Sequence, residues 1–372
     1  MIPRILKLSA ANLAVLLLIF LVLEVGARII TYCHWVSFHP DNKSFRLTQP
    51  PPYQGADYFS KEFVEESFRH LSGWAPSPAS PILSPKDFSG KYFHVKDGVR
   101  RTTGQPADRN LPEILVFGGS SIYGAEVPDD LTVASQLQQM LNQANLPFRV
   151  INYGVQGVKV SQEFDRLRTL NLKEGDIVIF FDGVNDIVQG VFRGDPDGYL
   201  TKPSLLLRMI VKASSYSYLV NLLWNNFNEI MPAHLADPGK IRQLAEVTTQ
   251  KYQDTIVKVA EYSQQHGYVF VHFVQPNLYT LKGHRHSGYE NQLQSIGQPG
   301  VGIALMAGDK LLGRVSRQLS NAGILSIDAM DIFDNLDEPV YLDYCHVNHK
   351  GNKIMAELIF KTLTQKGVLS PR

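Results

Sequence analysis

The sequence is poor in cysteine, with two in 372 residues, Cys33 and Cys345. Two thiols so far apart cannot staple a small scaffold, and they lack the clustering of a structural zinc site, so the fold must rest on burial. An excess of charge of either sign is also missing: 36 Lys plus Arg stand against 35 Asp plus Glu, for a formal charge of +1. That balance lacks the basic excess of a nucleic-acid binder and points away from polyanionic partners. No internal repeat is visible. What is present is a 44% hydrophobic composition, enough for a sizeable core and against general disorder. The length fits one large domain or two ordinary ones, and a mean hydropathy of -0.11 describes a soluble average.

That average conceals the N-terminus. Arg4 and Lys7 precede an apolar run that is unbroken from Leu13 to Leu23. The low-charge stretch from Leu8 to Glu24 is marginal for crossing a hydrocarbon core about 30 Å thick, unless Glu24 and Arg28 snorkel. Val25-Gly26-Ala27 offers small residues for signal-peptide cleavage, the alternative reading. Glu24 beside that site, and apolar character resuming at Ile29-Ile30 and on to Tyr32 and Trp35, favour an uncleaved anchor over residues 1–35. Either way the positive N-terminus stays in the cytoplasm and the remainder is exported, periplasmic or extracellular. Cys33 then lies at the membrane face.

Residues 36–110 carry Pro50-Pro51-Pro52, Pro76, Pro78, Pro81 and Pro85, the density of a stalk or wrapping segment. Phe63, Phe68, Trp74, Tyr92 and Phe93 imply that part of it packs down. Over residues 111–372 strand and helix patterns alternate. Short apolar runs at Glu113–Phe117, Phe148–Tyr153, Asp176–Phe181, Tyr268–Val274 and Ile324–Ala329 predict five strands. Helices are expected at about Leu131–Gln143, Ser161–Leu170, Ile241–Gln265, Lys310–Ser320 and Lys350–Gln365. The expected fold is therefore α/β, a doubly wound three-layer α/β/α domain with a mostly parallel five-stranded sheet, preceded by one transmembrane helix. Two gaps, residues 187–240 and 276–306, read as loops leaving strand ends, where such sheets bind ligands. Leu205-Leu206-Leu207 with Met209-Ile210 suggests an apolar lid in the first.

Four segments carry chemistry. Gly118-Gly119-Ser120-Ser121 is a serine on a glycine-rich turn from strand to helix, where a hydroxyl stands clear beside amide donors. It also suits a plain loop or a phosphate cradle, without the later Lys of a P-loop. Asn152-Tyr153-Gly154-Val155-Gln156-Gly157 and Gly183-Val184-Asn185-Asp186 follow the next two strands; each also fits ordinary turn chemistry. The last is Asp343-Tyr344-Cys345-His346-Val347-Asn348-His349. An Asp three residues before a His can fix the imidazole tautomer, the carboxylate's role in a Ser-His-Asp triad. The rival reading makes Asp343, His346 and His349 metal ligands, with His284 or His286. Cys345 reads as packing.

In this order the four segments resemble the blocks of the SGNH hydrolase superfamily, the GDSL esterases and lipases, over about residues 112–366. The resemblance implies Ser120 as nucleophile, with His346 and Asp343 completing the triad. It implies Gly157 and Asn185, with the Ser120 N–H, as an oxyanion hole, and neither cofactor nor metal. One departure is plain: the family's Gly-Asp-Ser is Gly118-Gly119-Ser120 here. The expected activity is an extracytoplasmic serine ester hydrolase or O-acyltransferase acting on acyl esters, above all acetyl esters of cell-envelope glycans. Alternatives are a lipid esterase of the same fold and a non-catalytic glycan-binding or assembly protein. The expected partners are the acylated substrate and the membrane.

Overall fold

The computed structural model describes residues 12–13, 15–29, 50–71, 74–77, 80–196, 217, 219–220, 232–281, 288–296 and 299–369. Cys33, the apolar segment 205–210, and His284 and His286 lie outside these, as do residues 8–11 and 14 of the apolar N-terminal run. The chain forms two compact units, residues 1–49 with 202–230, and residues 50–201 with 231–372.

In the first unit, residues 15–29 are helical, and the side chains of Val15 through Leu23 are about half exposed or more. Among the described residues no helix is long and apolar enough to cross a membrane. Glu24 does not snorkel into solvent; it is buried. Its carboxylate pairs with Arg28 Nε at 3.1 Å and accepts from Ser217 Oγ at 2.7 Å and Leu219 N at 3.1 Å.

The second unit begins with helix α1 (Lys61–Leu71) and a two-stranded antiparallel hairpin, β1 (Trp74–Ser77) and β2 (Ser80–Pro85). Three very short strands follow, β3 (Phe88–Ser89), β4 (His94–Lys96) and β5 (Val99–Arg100). Then come β6 (Glu113–Gly118), the single turn α2 (Ser120–Tyr123), α3 (Val133–Gln143), β7 (Arg149–Asn152) and α4 (Val160–Leu167). β8 (Ile177–Asp182) leads through the short α5 (Val184–Ile187) towards the long α6 (Pro238–Gln265). β9 (Val269–Val274), α7 (Gly288–Ile296), α8 (Pro299–Asn321), β10 (Ser326–Asp328) and α9 (His349–Gln365) complete it.

The sheet has eight strands rather than the expected five, in the order β10-β9-β8-β6-β7-β5-β4-β3. The five expected strands form its parallel part, β6 to β10; β5, β4 and β3 extend it antiparallel beyond β7, where Arg100 pairs with Asn152. The addition comes from the proline-rich segment, whose two- and three-residue strands carry no apolar run to betray them.

Successive residues of the central strands face opposite layers, which is why each strand reads as continuously apolar. Leu115, Phe117, Val178 and Phe180 pack with α4, α6 and α8. Ile114, Val116, Ile177 and Ile179 pack with α3 and α9. Thr132 caps α3 by accepting from Ser135 N, placing the helix start within two residues of expectation.

The second expected loop is largely helical. α7 and the first two turns of α8 lie inside residues 276–306, where the glycines lower helix propensity. α8 is glycine-rich because it packs closely: a Cβ on Gly308 would sit 2.5 Å from Ile187 Cδ1. Among the parallel strands the order in the sheet reverses between β6 and β8, and the ends of those two strands carry Ser120 and Asn185. That reversal is where open α/β sheets place their ligands.

Candidate active site

At the end of β6 the chain turns at Gly118-Gly119, so that Ser120 opens α2 and its N–H has no partner within the helix. Ser120 Oγ lies 2.6 Å from His346 Nε2. His346 Nδ1 lies 2.5 Å from Asp343 Oδ2, and Asp343 Oδ1 accepts from the N–H groups of Cys345 and His346, each at 2.8 Å. An acceptor-only carboxylate obliges Nδ1 to donate, which leaves Nε2 of the neutral ring to accept the serine proton. Ser120 and a His-Asp pair more than 220 positions away thus form one hydrogen-bonded chain.

The electrostatics follow from that chain. Burial pushes the Asp343 carboxyl up, but the His346 ring and two backbone N–H donors outweigh it and hold the group below its ordinary value. Burial lowers His346, yet Asp343 above all lifts it well above the usual imidazole range. The base form is therefore populated as pH rises.

Both halves of the site are braced. Ser121 Oγ donates to Cys345 O at 3.0 Å and accepts from Gln275 Nε2, beyond the end of β9, at 2.8 Å. Asn348 caps α9 by accepting from Lys350 and Gly351 N, and donates to Pro52 O at 2.6 Å. Leu278 N donates to Tyr344 O at 2.9 Å. Ser121, Gln275 and the contact to Pro52 were not singled out from the sequence, since nothing in a lone Gln or a second Ser signals a bracing role.

Gly183, at φ +119, supplies a turn closed to other residues and delivers Asn185 to the same edge of the sheet. A Cβ on Gly119 would lie 2.3 Å from Asn185 Nδ2, so the amide sits directly over the turn that carries Ser120. A side chain at 119 must displace that amide, which gives a physical reason for glycine at that position. Gly119→Ala is expected to leave thermal stability within about 1 kcal/mol, because only a side-chain end must move, while lowering kcat at least about tenfold. Parallel melting and kinetic measurements check this; unchanged kcat would remove Asn185 from the proposed machinery. Gly157 is exposed on the turn after β7, its carbonyl accepting from Gln189 Nε2.

Among the described residues His349 does not join Asp343 and His346. His349 Nδ1 faces Tyr58 OH at 3.3 Å, and its ring meets Tyr58 edge to face. Asp343, Cys345 and His346 offer ligand atoms within 4.8 Å of one another, but both Asp343 oxygens and both His346 nitrogens are engaged in the chain described above. Cys345 is 3% exposed with its thiol pushed up by burial, as packing requires of it.

Behind Asn185 lies an acidic group the sequence did not flag. Asp182, Asp186 and Glu163 are all buried; burial pushes each aspartate up to about 7, and Glu163 well above its ordinary value. An acid raised this far binds its proton on folding, so its stabilising effect is full below the unfolded value near 3.8 and is lost as pH rises through about 7. Melting temperature is expected to fall from pH 6 to pH 8. Asp182→Asn is expected to flatten that slope and raise the melting temperature at pH 8. An unaltered slope in the variant would assign the pH dependence elsewhere.

No protein-family model matches the chain, and no curated protein sequence matches it. Among solved structures it is similar to a lipolytic protein of the G-D-S-L family from Veillonella parvula, at 14% identity and a TM-score of 0.39 over 68% of this chain and 98% of that one. It is similar to TesA at 14% identity and a TM-score of 0.38, over 68% and 98% of the two chains. It is also similar to an acetylxylan esterase from Geobacillus stearothermophilus, at 13% identity and a TM-score of 0.38 over 68% of this chain and 94% of that one.

Proposed function

We propose that the chain is a serine ester hydrolase in which Ser120, His346 and Asp343 act as a catalytic triad. The observation that carries this reading is the continuous link from Ser120 Oγ through His346 to Asp343, at 2.6 Å and 2.5 Å. A serine hydroxyl is a weak nucleophile until a positioned base takes its proton. His346 removes it as Oγ attacks the acyl carbon, and the proton then passes to the departing alcohol. Asp343 holds the ring and stabilises the imidazolium without itself taking the proton. The Ser120 N–H, the Gly157 N–H and the Asn185 amide serve the oxyanion, each such donor contributing about 2.7 to 4 kcal/mol in the transition state. Water resolves the acyl-enzyme in hydrolysis; a sugar hydroxyl resolves it in O-acyl transfer.

The N-terminal segment serves as a membrane anchor with its N-terminus cytoplasmic and the second unit outside the cytoplasm. Arg4 and Lys7 ahead of the apolar run, and the exposed apolar side chains of Val15 through Leu23, support this. Export directs the site to acyl esters of envelope glycans, with acetyl the group favoured. The test is a comparison of acetylated glycans with long-chain lipid esters, using the full chain in detergent and scoring released acid and transferred acyl group. Preferred turnover of acetylated glycan is expected; preference for the lipid ester overturns the glycan reading, and turnover of neither, with no short-chain ester cleaved, leaves a binding role.

A further inference from the structure

Glu126 is not required by the triad, yet the fold goes to some length to hold it. Arg100 Nη1 donates to Tyr123 O at 2.9 Å and also to Gly124 O, and its Nη2 donates to Val127 O at 2.6 Å. Ser67 Oγ, from α1, donates to Ala125 O at 3.3 Å, and Tyr53 OH donates to Glu126 O at 3.0 Å. Five consecutive carbonyls, 123 through 127, are thus each held by a side chain from the segment that precedes β6. The result is a rigid loop whose carboxylate reaches the catalytic ring: Glu126 Oε1 lies 3.9 Å from His346 Nε2. Both side chains remain slightly open, at 19% and 18% exposure, so solvent reaches the space between them.

A separation of 3.9 Å is too long for direct contact and suits one bridging oxygen. With hydrogen bonds of about 2.8 Å to each partner, the two directions at that oxygen diverge by roughly 90°, near the angle between the two O–H bonds of water. Resting on the Ser120 acyl-enzyme reading above, we propose that Glu126 positions the hydrolytic water and steers the acyl-enzyme towards hydrolysis rather than transfer. Water brings two protons: one goes to Nε2 as its oxygen attacks the acyl carbon, and the other is held by Oε1 without being transferred. The tetrahedral intermediate then collapses, the bond from Ser120 Oγ to carbon breaks, and Nε2 returns its proton to Oγ as the free acid departs. An alcohol has a single hydroxyl proton, which Nε2 takes, so Glu126 gives it no second hold.

The experiment follows p-nitrophenyl acetate turnover by the full chain, wild type, Glu126→Gln and Glu126→Ala, with and without glycerol as acceptor. In the alanine variant a burst of nitrophenol is expected, because deacylation slows about 10- to 100-fold while acylation slows far less. The ratio of glycerol acetate to acetate is expected to rise at least tenfold, with glutamine intermediate. Equal slowing of both steps, or an unchanged ratio, overturns the role of Glu126 alone. A wild type that never acetylates Ser120, judged by peptide mass, overturns the hydrolase reading and this inference with it. Fluorophosphonate labelling of the variants near the wild-type rate shows that each retains a folded site.

Discussion

Replacing Ser120 with alanine is expected to lower kcat for a short-chain ester by about 10⁶-fold, the scale on which a triad nucleophile counts. No neighbour can take its place. Ser121 Oγ is spent on Cys345 O and Gln275, and Cys345 is sealed in the core with its thiol pushed up. His346→Ala should cost a similar factor, and the double variant little more, because the groups act as one unit. Asp343→Asn should cost about 10⁴-fold, since an amide that donates towards Nδ1 selects the wrong tautomer. Single-turnover and steady-state assays on purified variants check these values. A Ser120→Ala protein retaining a tenth of the activity would contradict the assignment.

Arg100→Ala is expected to give the largest loss of stability, at least about 3 to 5 kcal/mol. Arg100 is 1% exposed and lies over the rings of Phe93 and Tyr123 at 4.7 and 5.4 Å. It also donates from Nε to Asp129 at 3.1 Å. Asp129 is 2% exposed and is shared with His94 and Arg101, so truncation leaves a buried carboxylate under-compensated and takes a donor from each of three carbonyls. Lysine is no substitute, because one ammonium cannot span the fork that the guanidinium fills. A fall in melting temperature on the order of 10 °C is expected by calorimetry. A fall of under 2 °C would show that the loop around Glu126 is held by other means.

The parallel sheet was legible because its strands are buried on both faces and read as uninterrupted apolar runs. The antiparallel strands β3 to β5 were not, since what anchors them is polar: Glu66 accepting from the N–H groups of Lys91, Tyr92 and Phe93, and Arg100 meeting Asp129. Of the aromatic residues expected to pack, Phe63, Tyr92 and Phe93 do so around α1, whereas Phe68 is 53% exposed. Glycines hid the start of α8, where they serve close packing rather than a turn. That Ser120, His346 and Asp343 come together was readable because a hydrogen-bonded triad needs those residue types, and the Asp three residues before the His pointed to the pair. Glu126 was not, because one acid in a loop resembles any solvated residue until its five neighbouring carbonyls are traced.

The central claim is that Ser120 is an activated nucleophile, and fluorophosphonate labelling of the full chain followed by peptide mapping tests it most directly. Wild-type protein should carry a single adduct on Ser120, lost in Ser120→Ala and strongly slowed in His346→Ala. An adduct that persists in Ser120→Ala, or that maps to Ser121 or Cys345 in the wild type, would contradict the account.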